Sequence, residues 1–565
     1  MTPVERTRII NDDYLDFIID YRNNRAILDT FEDAVVNIIN EYYAVVHVPF
    51  NTELKNLLNN YSYSFIPKIY GLTSRISVES SGVTDLTNLP GFDLTGNGVL
   101  IGIIDTGIDY LNPIFIKENG QTKILSIWDQ TIQSESTYPI ITNYGTEYTS
   151  EMINAALISN EPLNIVPSID TNGHGTMMAG VAVGNENQEI NFRGVAPDAE
   201  LVVVRLKQAK RYIRELFLIQ EDVIAFQEND IMWGVYYCIQ MARRLDRPIV
   251  ICLGLGTSQT SHAGQSNLGN YLSIVADYTN VCVVVAVGNE GNSGRHFFSR
   301  ISTQTGSTSV ELNVGENDKN FCMELWGDFP GLFSVDIQSP GGEYISRIVS
   351  GIRLSREINF LFDITIINLQ FQISETLTGD QLIFFRFQNA TSGIWKFNVY
   401  SQGDLEAGFN IWLPMGEFIS NNTFFIQPVI YTTVLSPSTA YVPLSITAYN
   451  PYNRNLYPNS SRGYTSDDVV KPELAAPGVN YIAPSLNNLF INYTGTGVAA
   501  AHAAGVAALF MEWAVFKQNI EGVDTIVIKS YLIRGAIRRQ NLVYPNRDWG
   551  YGVINIYNVF EELRT

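Results

Sequence analysis

Cysteine is scarce in this chain: four residues in 565 (Cys238, Cys252, Cys282 and Cys322), with no C-x-x-C pair among them. That spacing offers neither a zinc-ribbon nor a thioredoxin-type motif. Cys252 and Cys282 stand in apolar runs, where a free buried thiol is the ordinary occupant, so no disulfide, metal or other cofactor is expected. Positive charge is short as well. With 36 Lys and Arg against 57 Asp and Glu the formal net charge is −21, which repels phosphate backbones and argues against a nucleic-acid partner. The opening MTPVERTRIINDDYLDFIIDYRNN lacks the basic start and apolar centre of a signal peptide; the expectation is a protein made without one and kept in the cell that produces it. The longest nearly apolar stretch, 498–516, holds His502 and Glu512 and follows a Gly-rich loop, which fits a buried helix better than a membrane span. No repeat of roughly 20 to 50 residues is visible, which argues against solenoids and propellers.

What is present is an aromatic-rich globular composition, 45% hydrophobic with 30 Tyr and 29 Phe, on a chain longer than the ~250 to 300 residues at which single cores stop growing. Two or three domains are expected. Residues 1–75 carry amphipathic stretches suited to a small α+β unit. From residue 97 onward, runs that are apolar at every position recur (GVLIGIIDTG, AELVVVRLK, RPIVICLGLG, NVCVVVAVGN), as strands buried on both faces of a parallel sheet require. Between them GTMMAGVAVG and NDIMWGVYYCIQMARRL read as helices, the latter with Ile231, Val235, Cys238 and Met241 at helical spacing. The fold class is α/β with a doubly wound parallel sheet. Over 304–448 the pattern turns to short alternating strands between Gly, Pro, Asn and Asp turns, as in an inserted β-sandwich. The expected division is 1–75, 76–303, 304–448 and 449–565.

Polar residues end several of the apolar runs, where ligands of such sheets bind. Asp105 closes VLIGIID, a place suited to orienting an imidazole, although Asp before Thr-Gly is also a common turn. His174 lies between two glycines in DTNGHGTMMAG, which let backbone and substrate approach the ring. Asn289, in VVVAVGNEGN, offers an amide donor for a developing oxyanion. Asp, then His, then a Gly-rich helix start is one of the chain orders in which a serine-protease triad occurs.

IGIIDTGIDY, NGHGTMMAG, VVVAVGNEGN, and AAPG followed by YTGTGVAAAHAAGVAALF resemble, in that order, the successive signatures of the subtilisin-like serine protease family. The resemblance implies Asp105 as triad carboxylate, His174 as general base and Asn289 as oxyanion-hole amide. It further implies Gly254, Leu255 and Gly256 of ICLGLGTS as the strand that pairs with substrate backbone. The last motif departs from the family: Gly-Thr-Ser is expected and Gly495, Thr496, Gly497 is found. Over nearly its whole length the chain is similar to a narrower branch, the Csp proteases of clostridial spores, in which prodomain, subtilase core and an inserted jelly roll occur together. Active members of that branch process a cortex-lytic zymogen, and some members are pseudoproteases that regulate germination.

Glycine at 497 leaves no Oγ for His174 to deprotonate, and removal of the nucleophile in a subtilisin costs about 2 × 10⁶ in kcat. The adjacent hydroxyl of Thr496 does not fill the position, because adjacent side chains at a helix start project ~100° apart; Ser293 and Thr494 are further candidates that the sequence does not position. The resemblance therefore implies an inactive regulator in the spore, with its prodomain retained in the cleft and sister Csp proteases or germination signalling proteins as partners. The alternative is an active endopeptidase whose serine has been exchanged for glycine. A carbohydrate-binding role for Trp326, Trp395 and Trp412 of the sandwich is the weaker reading, because aromatics in sandwiches are mostly core.

Overall fold

The computed structural model describes residues 1–51, 53–76, 94–302, 304, 306–351, 354–402 and 405–563. Its centre is an eight-stranded sheet in the order Leu474–Pro477, Leu444–Tyr449, Val281–Ala286, Ile249–Leu253, Leu100–Asp105, Glu200–Arg205, Ile124–Asp129, Thr146–Thr149. All neighbours are parallel except the last pair, which is antiparallel. Residues 100–105, 249–253 and 281–286 are buried at every position. Their alternate side chains feed two apolar layers: Ile101, Ile103 and Val250 pack with the helices His174–Val183 and Thr496–Met511, while Leu100, Ile104 and Ile249 pack with Glu228–Leu245 and Asn267–Ala276. Double-sided burial is what makes these strands apolar throughout. Thr496–Phe516 is long and apolar enough to cross a membrane, yet 83% of its most apolar window is buried inside the protein, as a core helix would be.

The N-terminal unit begins with the helix Pro3–Ile10, started by a capping box between Thr2 and Glu5. It continues in an antiparallel sheet ordered Tyr14–Asp20, Tyr43–Pro49, Val35–Ile38. A buried polar network docks this unit on the core: Asp16 accepts from His47 Nδ1 at 2.7 Å, Lys210 Nζ at 2.7 Å and Gln227 Nε2 at 2.8 Å. Burial alone would raise the Asp16 carboxyl, but the Lys210 ammonium and His47 hold it well below the usual carboxylate range.

The insert is two antiparallel sheets of six and five strands closed over their own apolar core. Its strands begin at His296 and end at Phe425, so the expected 304–448 span is shifted at both ends. Leu444–Tyr449 lies inside that span for all but its last residue, yet pairs parallel with Val284–Ala286 in the central sheet. Its burial at five of six positions is that of a two-sided strand. Of the expected strand NTFFIQPVIYTTV only Phe424–Phe425 forms; Pro428, which lacks an amide hydrogen, follows three residues later. Trp326, Trp395 and Trp412 are 4%, 0% and 3% exposed, so all three are interior. One further apolar cluster joins all three units, with Phe17 and Tyr63 from the first, Phe217 from the core, and Trp326, Phe384 and Phe418 from the insert. The four cysteines are buried and free, and burial pushes their thiols up.

Candidate active site

Asp105 is the last residue of its strand, and His174 the first of the helix His174–Val183. Gly173 turns the chain into that helix at φ 93°, a left-handed value that glycine tolerates. Gly175 is required by packing, because a Cβ there would overlap the Gly107 carbonyl. His174 Nδ1 donates to Asp105, 2.8 Å from Oδ1 and 2.9 Å from Oδ2, and Oδ1 also accepts from Thr106 N at 2.7 Å. With Nδ1 protonated, Nε2 is the basic nitrogen. It faces position 497, buried and without a hydrogen-bond partner among the described residues. This is the orientation a triad imidazole needs, since the carboxylate fixes both tautomer and ring plane.

Asn289 follows Val281–Ala286, two strands away from Leu100–Asp105 in the central sheet, and its side chain is fixed from behind: Oδ1 accepts from Thr496 N at 3.1 Å and from Thr496 Oγ1 at 3.2 Å. The amide nitrogen is thereby turned into the cleft, where it donates to the Thr73 carbonyl at 2.6 Å. Gly497 N donates to the same oxygen at 3.2 Å. Two donors converging on one carbonyl are the arrangement that stabilises an oxyanion. The neighbouring hydroxyls are engaged elsewhere: Thr496 Oγ1 also accepts from Gly288 N at 3.0 Å, Ser293 Oγ donates to Glu290 O at 2.9 Å, and Thr494 Oγ1 accepts from Asn480 N at 2.9 Å.

Residues 69–76 run through this cleft as an extended peptide. Ile69–Leu72 is the middle strand of three, paired antiparallel with Leu255–Gly256 on one side and Phe226–Gln227 on the other. Thr73 N donates to Gly254 O at 3.0 Å. Beyond Thr73 the chain changes partner, and Ser74–Ile76 pairs antiparallel with Tyr493–Gly495. The structure thus brings Asp105, His174, Asn289 and Gly497 to one point, with Gly254, Leu255 and Gly256 along the wall. Phe226–Gln227 and the insert residues Met415 and Phe418, which pack over Gly71, were missed by sequence reasoning: a two-residue strand has no periodicity to detect, and the turn 416–418 carries no motif. Among the described residues no group of three or more His, Cys, Asp or Glu is placed to hold a metal ion.

Fold and site together define a subtilisin-type scaffold in which an imidazole held by a carboxylate and two converging N–H donors surround Gly497, a position without a side chain. Residues 96–317 and 421–552 match the Subtilase family, and the chain belongs to that family. Among solved structures it is similar to the CspB protease of Clostridium perfringens, at 29% identity and a TM-score of 0.75, over 84% of this chain and 95% of that one. The central sheet, the N-terminal α+β unit and the inserted sandwich are those of that structure. Curated relatives include the minor extracellular protease Vpr of Bacillus subtilis (strain 168), 22% identical over 490 residues, covering 83% of this chain and 52% of that protein. Another is the subtilisin-like protease SBT3.6 of Arabidopsis thaliana, 23% identical over 453 residues, covering 73% and 55%. The chain spans about half the length of these curated relatives.

Proposed function

We infer that the protein is a catalytically inactive subtilase that works by binding. The observation that carries this reading is the absence of a side chain at Gly497, the point on which His174 Nε2 and the oxyanion donors converge. Without an Oγ no acyl-enzyme forms, and what the remaining groups supply over water is about 10³- to 10⁴-fold. The N-terminal unit stays covalently attached, because the cut that would release it needs the missing nucleophile. The cleft is then closed to other peptides by residues 69–76. Likeness to the CspB protease supports a place among the Csp proteins of clostridial spores, with a regulatory role in germination exerted on sister Csp proteases or on a germinant-linked partner.

Two measurements test the reading. Purified protein should cleave no peptide substrate and take no label from a fluorophosphonate probe, and protein from native spores should show the mass of the uncut chain. A labelled residue in the cleft, or a species beginning near residue 75, would overturn it. A second reading, an active germination endopeptidase whose serine has been exchanged for glycine, is favoured by the intact Asp105–His174 pair. The natural gene sequence separates the two.

A further inference from the structure

Gly497 is the second residue of the helix Thr496–Met511. A Cβ placed on its backbone would lie inside van der Waals contact with Ser74 Oγ, 3.0 Å from Thr73 Oγ1 and 3.4 Å from His174 Nε2. The Ser74 hydroxyl therefore stands in the space that a side chain at 497 would claim. Its position is built, not incidental. Val498 N–H, one of the orphan donors of the helix start, donates to Ser74 Oγ at 3.1 Å across 424 residues of sequence. Ser74 also pairs with Gly495 in the antiparallel ladder, and Thr73 and Ser74 are 0% and 7% exposed. Thr73 Oγ1, the next nearest oxygen, is held by donation to Gly254 O at 2.6 Å and has little freedom to yield.

We propose that Ser74 and Gly497 are a matched pair: the missing side chain at 497 admits the Ser74 hydroxyl, and that hydroxyl locks residues 71–75 into the cleft as a permanent plug. The proposal rests on the reading of an inert, self-occupied cleft and adds how the occupancy is secured. Glycine at 497 then does two things, removing the nucleophile and making room for the plug. Any side chain at 497, serine included, must first displace the Ser74 hydroxyl, so restoring a serine there without changing residue 74 breaks the Val498–Ser74 bond that secures the plug.

A double-mutant cycle of Ser74→Ala and Gly497→Ala in the full chain tests the pairing, read by hydrogen exchange of peptides covering 69–76 and by the melting midpoint. Alanine inside a helix ordinarily favours folding over glycine, so the sign of the effect is informative. With Ser74 present, Gly497→Ala should speed exchange of this segment by roughly tenfold or more and lower the midpoint, as overpacking does. In the Ser74→Ala background the same change should leave exchange within about threefold. Equal effects in both backgrounds, or greater protection on placing alanine at 497 beside Ser74, would overturn the proposal. If Gly497→Ala fails to fold, folding of the double variant supports the pairing and its failure overturns it. The functional reading fails separately, through peptide cleavage or probe labelling of the unaltered protein, which leaves the exchange cycle interpretable.

Discussion

Asn289→Asp is the most direct probe of how the cleft holds residues 69–76. The Asn289 side chain makes three hydrogen bonds, accepting twice from Thr496 and donating once to Thr73 O. Aspartate keeps the shape and both acceptor contacts, but sets a carboxylate oxygen against the Thr73 carbonyl where a donor stood at 2.6 Å. The loss combines one hydrogen bond, worth about 1 kcal/mol net, with the burial of an acceptor facing an acceptor, for a total of roughly 2–4 kcal/mol. Gly497 N, at 3.2 Å, is left as a donor to that oxygen. The corresponding rise in local opening is roughly 30- to 1,000-fold. Hydrogen exchange of peptides covering 69–76 measures it, and trypsin gives a second readout because the exposed Arg75 lies in the segment. Exchange in Leu100–Asp105 and Ile249–Leu253 should be unchanged, since the hydrogen bonds of the Asn289 side chain go to Thr73 and Thr496. Undiminished protection of 69–76 in the variant would refute the argument that the oxyanion donors anchor this segment.

Glu324, buried in the insert, accepts from Tyr63 Oη of the N-terminal unit at 2.5 Å and from Trp326 Nε1 at 2.9 Å, and burial pushes its carboxyl up to about 7. The folded chain binds this proton more tightly than the unfolded chain. Its share of stability, about 3 kcal/mol, is therefore complete below about pH 4.5 and lost as pH rises through about 7. Glu324→Gln should flatten the fall in melting midpoint between about pH 5 and 8, and parallel profiles for the two proteins would count against it. Gly175→Ala should lower the midpoint by the equivalent of roughly 1–3 kcal/mol, because its Cβ meets the Gly107 carbonyl and neither backbone can yield easily; an unchanged midpoint would refute that packing. Asp105→Ala leaves His174 Nδ1 buried without its acceptor and should cost roughly 1–3 kcal/mol of stability. Peptide hydrolysis should stay at background in both the parent and this variant, and a fall on substitution would reveal turnover at the site.

The central sheet was legible because burial on both faces writes an unbroken apolar run, and the site was legible because each motif sits at a strand end or helix start. LSITA, at 444–448, falls within the expected insert because a few residues after a long alternating region carry too little pattern to mark a return to the core. Phe226–Gln227 and the change of partner at Thr73 depend on pairings between residues more than 150 positions apart. Nothing local in AFQEND or GLTS encodes them. The acceptor for Asn289 was hidden for the same reason: the sequence shows an amide at a strand end, whereas its target is a carbonyl more than 200 residues upstream.

The four positions of the site differ in what the fold would lose with each. Asn289 satisfies the N–H and hydroxyl donors of Thr496 and the Thr73 carbonyl. Asp105 satisfies Thr106 N and His174 Nδ1, and removal of either side chain strands buried groups at roughly 1–3 kcal/mol each. A serine side chain at 497 has one obvious partner, His174 Nε2, which is among the buried side-chain atoms without a hydrogen-bond partner among the described residues. Against that single unpaired nitrogen stands a gain, because Ser74 Oγ takes the vacated space and satisfies Val498 N. A glycine at 497 thus strands fewer buried groups than removal of the Asn289 or Asp105 side chain would. Retention of Asp105, His174 and Asn289 beside a glycine at 497 is what this unequal structural dependence predicts.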